Sequence, residues 1–226
     1  MTSPDILYED NHLMIVNKKC GELVQGDKTG DKTLMDDIKA FIKVRDNKPG
    51  NVYLGLTHRL DRPTSGIVIF AKTSKALTRM NEKFKKREVD KTYWAVTTTL
   101  PKNVPTADTL EHYLKKNAKK NLVTVYTKPT DGAKKAILHY KLIQQLDNYW
   151  LFEINLETGR SHQIRTQMAK IGAVIKGDLK YGAKRSNPDG GIHLHARKVV
   201  FEHPTTKEII DVTAPTPDDP IWNACG

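Results

Sequence analysis

The stretch THRLDRPTSGIVIFAKT, residues 57–73, sets Asp61 between Arg59 and Arg62 and then turns into the apolar run Ile67–Ala71. Pro63 lacks an N–H and stops a preceding strand from pairing onward, while Thr64, Ser65 and Gly66 suit a tight turn. The run that follows has the length of a buried strand. Asp61 therefore belongs on a loop at the lip of a strand. Two readings stand at this point: a turn-capping carboxylate that accepts backbone N–H groups, or a reactive carboxylate held ionised by the arginines around it.

Outward from this stretch the chain alternates helical and strand patterns. ILYEDNHLMIVNKK reads as two strands about an Asp10-Asn11 turn. GDKTGDKT, residues 26–33, lacks the Gly-Lys-Thr ending of a phosphate loop and reads as turn chemistry. Thr33 and Asp36 form a capping box before a helix whose Leu34, Ile38, Phe41 and Ile42 share a face. Tyr53–Leu60 and Gly66–Lys72 are expected strands. Ser74 is expected to cap a helix that buries Ala76, Leu77, Met80 and Phe84 and turns Lys83, Lys85, Lys86 and Arg87 to water.

From Lys91 the segments KTYWAVT, LVTVYT, AILHYKLIQQL and YWLFEINL alternate as an antiparallel sheet does. Ser161 is expected to cap a short helix carrying Ile164, Met168 and Ile171, closed by Gly172. LHARKVVF and EIIDVT return as strands about His203-Pro204-Thr205. The expected class is α+β, a mixed and mainly antiparallel sheet with flanking helices, in one domain over residues 1–226.

Net charge is +11 and the pI about 9.5, which points to a polyanionic partner or to a generically basic surface. Cys20 and Cys225 are the only cysteines, too few for a disulfide framework or a four-thiolate zinc site. Residues 1–13 carry no basic segment followed by an apolar one, and apolar runs elsewhere are strand-sized, so a cytoplasmic protein without a membrane span is expected. His193 and His195 share a strand face, but with no third ligand in view no metal is expected.

In ETGRSHQIR, His162 and Arg165 lie one helical turn apart, and Arg165 is placed either to pair with a carboxylate from another strand or to sit as a surface cation. Tyr93 and Trp94 must point to opposite faces of their strand, so one of them is available to stack on a base. Lysines 115, 116, 119 and 120 suit contacts to phosphate, or a solvated turn.

HRLDRPTSG, KTYWA, LETGRSHQIR, IKGDLKYG and LHARKVVFEHP occur in the order seen in the RluA-type family of RNA pseudouridine synthases, which the chain resembles from about Ile6 to Asp218. The Arg-Pro after Asp61 is similar to the branch acting on transfer RNA. Two positions depart from the family pattern: Lys19-Cys20-Gly21 stands where Lys-Pro-Gly is usual, and Val174 where Pro is common. The resemblance implies a pseudouridine synthase catalytic domain without a separate N-terminal RNA-binding domain, acting on a transfer or ribosomal RNA stem-loop. It needs no cofactor and no obligate protein partner.

It implies that Asp61 is the catalytic aspartate, Arg165 its ion-pair partner and Tyr93 the ring stacked on the target uracil. Arg59 fills the gap left by the flipped nucleotide; His58, Arg62, Thr64 and Leu194 are the further substrate-binding candidates. The chemistry agrees, because an aspartate with an ordinary pKa of about 3.9 is ionised at neutral pH without a partner base. A nucleoside hydrolase would share the carboxylate but need a second acid and release free base, and a non-catalytic RNA-binding protein would need only the basic surface.

Overall fold

A computed structural model describes residues 3–26 and 30–225. Positions 27–29 of the expected 26–33 turn lie outside the described residues. In chain order the elements are β1 (Ile6–Glu9), β2 (Leu13–Lys18), α1 (Leu34–Arg45), β3 (Gly55–Leu56), β4 (Ser65–Ala71), α2 (Ser74–Lys86), β5 (Val89–Thr97) and β6 (Ala107–Asn117). There follow β7 (Leu122–Tyr126), β8 (Lys134–Gln145), β9 (Trp150–Leu156), α3 (Gln163–Lys170), β10 (Leu194–Glu202), β11 (Ile209–Thr213) and α4 (Pro220–Asn223). The class is α+β, as the alternating patterns require. The chain divides into two compact units, residues 1–90 with 196–217 and residues 91–195 with 218–226.

In the first unit the strand order is β1-β2-β4-β10, with β11 on β10 and β3 on β4. β2 and β4 pair antiparallel from Leu13↔Ala71 to Lys18↔Gly66. All seven residues of β4 are buried, and α2 packs against this strand. Helix cover explains why the strand reads as a continuous apolar run and not as an alternation. Gly66 is required where it stands: φ is +107°, and a Cβ there would lie 2.4 Å from the backbone oxygen of Ala196. α1 begins at the expected capping box, with Asp36 N–H donating to Thr33 Oγ1 and Thr33 N–H to the Asp36 carboxylate.

Three expectations for this unit are corrected. The strand expected over Tyr53–Leu60 is only the two residues of β3, because side chains replace the backbone ladder beyond it. Thr57 Oγ1 donates to Ile69 O at 2.7 Å, and Ile69 N–H donates to His58 Nε2 at 3.1 Å. The cap of α2 is Thr73, whose Oγ1 accepts from Ala76 N–H, with Ser74 already helical. Lys83 does not face water; its side chain is 12% exposed and lies between Glu88 and Glu202.

In the second unit β5-β9-β8-β6-β7 form an antiparallel sheet in which the hairpins β8-β9 and β6-β7 lie side by side. β6 escaped the periodicity reading because its inward face is only Leu110, His112 and Leu114, at alternate positions in an otherwise polar segment. α3 packs on β6 and β7. Its expected cap also moves: His162 is the N-cap, in the left-handed region at φ 52°, with no side-chain cap. The Gln163 side chain organises the entry instead, its Oε1 accepting from Arg160 N–H and Thr158 Oγ1. His193 is tied up in structure: Asn187 Nδ2 donates to its Nδ1, its Nε2 lies 3.1 Å from Asp219, and its ring stacks on Trp222.

Candidate active site

The loop carrying Asp61 belongs to the first unit. Asp61 is half-buried, and its carbonyl accepts from Thr64 N–H at 3.0 Å, which closes the turn that Pro63 begins. Beneath this turn lies Lys18, 1% exposed at the end of β2. Its ammonium donates to Thr64 O at 2.7 Å, Lys19 O at 2.8 Å and Arg62 O at 3.1 Å. Gly21 N–H also donates to Arg62 O. Two carbonyls of the turn that follows Asp61, those of Arg62 and Thr64, are thus pinned to the Lys19 carbonyl by one buried cation. Burial lowers the Lys18 pKa from its ordinary 10.5 to about 8, while the negative charges of Glu22 and Asp61 act in the opposite sense.

The other motif residues of this loop have separate placements. Arg59 is exposed. Arg62 holds the loop to its neighbour, with Nε donating to Gly21 O and Nη1 to Asp31. His58 caps the Ile69 N–H as described and its ring lies 5.0 Å from that of Phe84. Thr64 is 2% exposed and engaged through its backbone.

In the second unit Arg165 emerges from α3 only 5% exposed. Its Nε and Nη2 each donate to Asp178 at 2.7 Å, a bidentate pair with a carboxylate that is 1% exposed. The guanidinium also lies 5.1 Å above the ring of Tyr181. The Tyr181 hydroxyl accepts from Val123 N–H and lies 2.6 Å from His162 Nδ1. That contact gives the left-handed cap residue a fixed partner. Asp178 and Tyr181 come from the IKGDLKYG segment, which sequence reading noticed as a motif without assigning work to either residue. Arg165 is therefore a buried, aimed cation and not the surface cation that helix periodicity also allowed.

Packing places Tyr93 and Trp94 on different sides of β5. Trp94 lies on the apolar cluster of Val96, Leu151, Trp222 and Cys225. Tyr93 points to the opposite face of β5 and is 8% exposed. Leu194, at the start of β10, is buried. Sequence reasoning missed Lys18, Asp178 and Tyr181, since a buried charge looks like any other charge until the fold closes over it.

Residues 12–170 match the family model described as RNA pseudouridylate synthase, and Asp61, Tyr93 and Arg165 all fall within the match. The chain therefore belongs to the RNA pseudouridylate synthase family, a class of RNA-modifying isomerases. Among its relatives is the RNA pseudouridine synthase YlyB of Bacillus subtilis, 33% identical over 218 residues that cover 95% of this chain and 70% of that protein. Another is the ribosomal large subunit pseudouridine synthase D of Xylella fastidiosa, 32% identical, covering 95% and 66%. The chain spans about two thirds of the length of these relatives. The fold is shared with human RNA pseudouridylate synthase domain containing 4, at a TM-score of 0.78 and 23% identity over 97% of this chain and 91% of that one.

Proposed function

We propose that this chain isomerises selected unpaired uridines of structured RNA to pseudouridine, with Asp61 as the reacting carboxylate. The observation that carries the reading is the Asp61 turn itself: a half-buried carboxylate whose neighbouring carbonyls are fixed by the buried Lys18 ammonium, and so a group preorganised before substrate arrives. In the proposed reaction the bond from ribose C1′ to uracil N1 breaks, the base turns, and C1′ bonds to C5, whose proton passes to N1. The base must leave its stack for this, which favours a loop nucleotide over a paired one. Arg165 serves as counter-charge to Asp61 during turnover, Tyr93 stacks on the uracil and Arg59 occupies the place it vacated.

His58, Arg62, Thr64 and Leu194 shape the surroundings of that base. The chemistry needs neither metal nor cofactor, because the carboxylate is the nucleophile or base. Transfer and ribosomal RNA are the substrate classes, and relatives that are ribosomal large subunit pseudouridine synthases favour the ribosomal one. Among the described residues no helix is long and apolar enough to cross a membrane. The reading places the enzyme in the cytoplasm, acting without an obligate protein partner, with Cys20 and Cys225 as thiols.

The test is product analysis. Purified chain is incubated with transcripts of ribosomal and transfer RNA, which are then digested to nucleosides and resolved by chromatography. Pseudouridine formed at defined positions supports the reading; released uracil would make the protein a nucleoside hydrolase, and unchanged RNA would leave it a binding protein.

A further inference from the structure

The second unit holds a groove of about 380 Å³ lined by Leu114, Lys116, Val123, Lys134, Arg160 and Ser161, with Gly132 and Gly159 at its edge. The strand register explains which side chains meet there. Lys116 pairs with Val123, and Leu114 with Lys134, so these four share one face of the β7-β6-β8 sheet. Leu114 and Val123 are buried against Ala136 and form an apolar floor. The loop before α3 supplies the facing wall, where Arg160 is fixed by Nε donating to Lys135 O at 3.0 Å.

The two faces of this sheet treat their cations differently. On the opposite face Lys115 donates to Asp131 O and Lys135 pairs with Glu111 at 2.8 Å. On the groove face no carboxylate lines the wall, and among the described residues Lys116, Lys134 and Arg160 form no ion pair. Three exposed cations without a carboxylate among them, lining a cleft of ligand size (roughly 300–1,000 Å³), make a surface that suits an anion. No aromatic ring lines the groove, so it suits phosphate and ribose better than a stacked base.

We infer that Lys116, Lys134 and Arg160 bind successive phosphates of the substrate RNA in this groove. The inference rests on the reading of the chain as an RNA-modifying enzyme and adds a track for the backbone. It also divides the lysine cluster read from sequence: Lys116 belongs to the track, while Lys115 is engaged on the other face and Lys119 and Lys120 lie in the turn between β6 and β7.

The experiment measures affinity for a stem-loop RNA with one unpaired uridine, by fluorescence anisotropy across a salt series. Lys116→Gln/Lys134→Gln/Arg160→Gln is compared with Lys115→Gln/Lys119→Gln/Lys120→Gln, which removes the same charge elsewhere. Each phosphate contact contributes about 0.7–0.9 to the slope of log K against log salt, so the groove variant should flatten that slope by about 2–3 and the control by less than one contact's worth. Because Arg160 also anchors its loop, Lys116→Gln/Lys134→Gln is the second variant, with about two thirds of the effect. Equal slopes in groove variant and wild type, equal flattening by the control, or no binding of this RNA by wild type at low salt would each overturn the inference. Pseudouridine is assayed on the same RNA in parallel. A flattened slope with no pseudouridine from wild type would keep the groove and discard the proposed reaction; pseudouridine with unaltered slopes would do the reverse.

Discussion

Lys18→Met tests the device that holds Asp61. The wild-type ammonium gives hydrogen bonds to three carbonyls, those of Lys19, Arg62 and Thr64. Methionine fills similar space and donates to none of them. Arg62 O keeps the N–H of Gly21, and an acceptor left unsatisfied costs about 1–3 kcal/mol, so the other two amount to roughly 4 kcal/mol. Against this stands the cost of burying the charge, seen in the fall of the Lys18 pKa from 10.5 to about 8 and equivalent to about 3 kcal/mol. The net expectation is a loss of about 1 kcal/mol near pH 7.

The sign of the pH dependence separates this account from simple cavity formation. Below pH 8 Lys18 is protonated in both folded and unfolded chains, and the burial cost is present in full. Between about 8 and 10.5 the folded state has released the proton and the unfolded state still binds it, so the contribution of Lys18 makes the fold more stable as pH rises. Tyr8 and Tyr140, whose pKa values are raised chiefly by burial, oppose this at alkaline pH equally in both proteins. The stability gap between wild type and Lys18→Met should therefore widen by up to about 3 kcal/mol from pH 7 to 10.5. Urea unfolding followed by far-ultraviolet circular dichroism reads it. A gap constant across that range would refute the buried-ammonium account, and wild-type turnover by the variant at pH 7 would refute its role in holding Asp61.

Asp61→Asn keeps the shape of the turn but removes the charge, and should abolish pseudouridine formation while leaving stem-loop affinity within about twofold; substantial residual turnover contradicts the assigned role. Arg165→Met leaves Asp178 as an uncompensated buried carboxylate, so a stability loss of about 3–5 kcal/mol is expected along with lost activity. Asp178→Asn is its companion, and should lower turnover while Arg165 retains its place over Tyr181; full activity in either variant removes the clamp from the mechanism. Tyr93→Ala forfeits stacking worth about 1–3 kcal/mol, expected as a roughly 5- to 150-fold fall in kcat on bound RNA, and unchanged single-turnover kinetics would return Tyr93 to the core.

Sequence alone determined the features that short-range physics controls. The Thr33–Asp36 capping box, the Asp10 turn, the loop position of Asp61 after Pro63 and the apolar stripe of α1 depend on residues within a few positions of each other, so their pattern is visible in the string. Periodicity likewise marked most strands of the second unit's sheet, and motif order marked Asp61, Tyr93 and Arg165 within the family.

Tertiary structure decided what depends on contacts between distant segments. Whether Arg165 is a surface cation or a buried clamp rests on Asp178 and Tyr181, 13 and 16 positions away, closing over it. Whether Tyr93 or Trp94 faces the core cluster rests on Trp222, contributed from the far end of the chain. β3 stops short because the Thr57 and His58 side chains reach Ile69, and the cations of β6 and β8 separate into paired and unpaired sets only once register assigns each to a face. The same reason underlies all of these: burial and pairing of a charged group are properties of its surroundings in space, and a lysine such as Lys18 carries no mark in the sequence that it will be enclosed by three carbonyls.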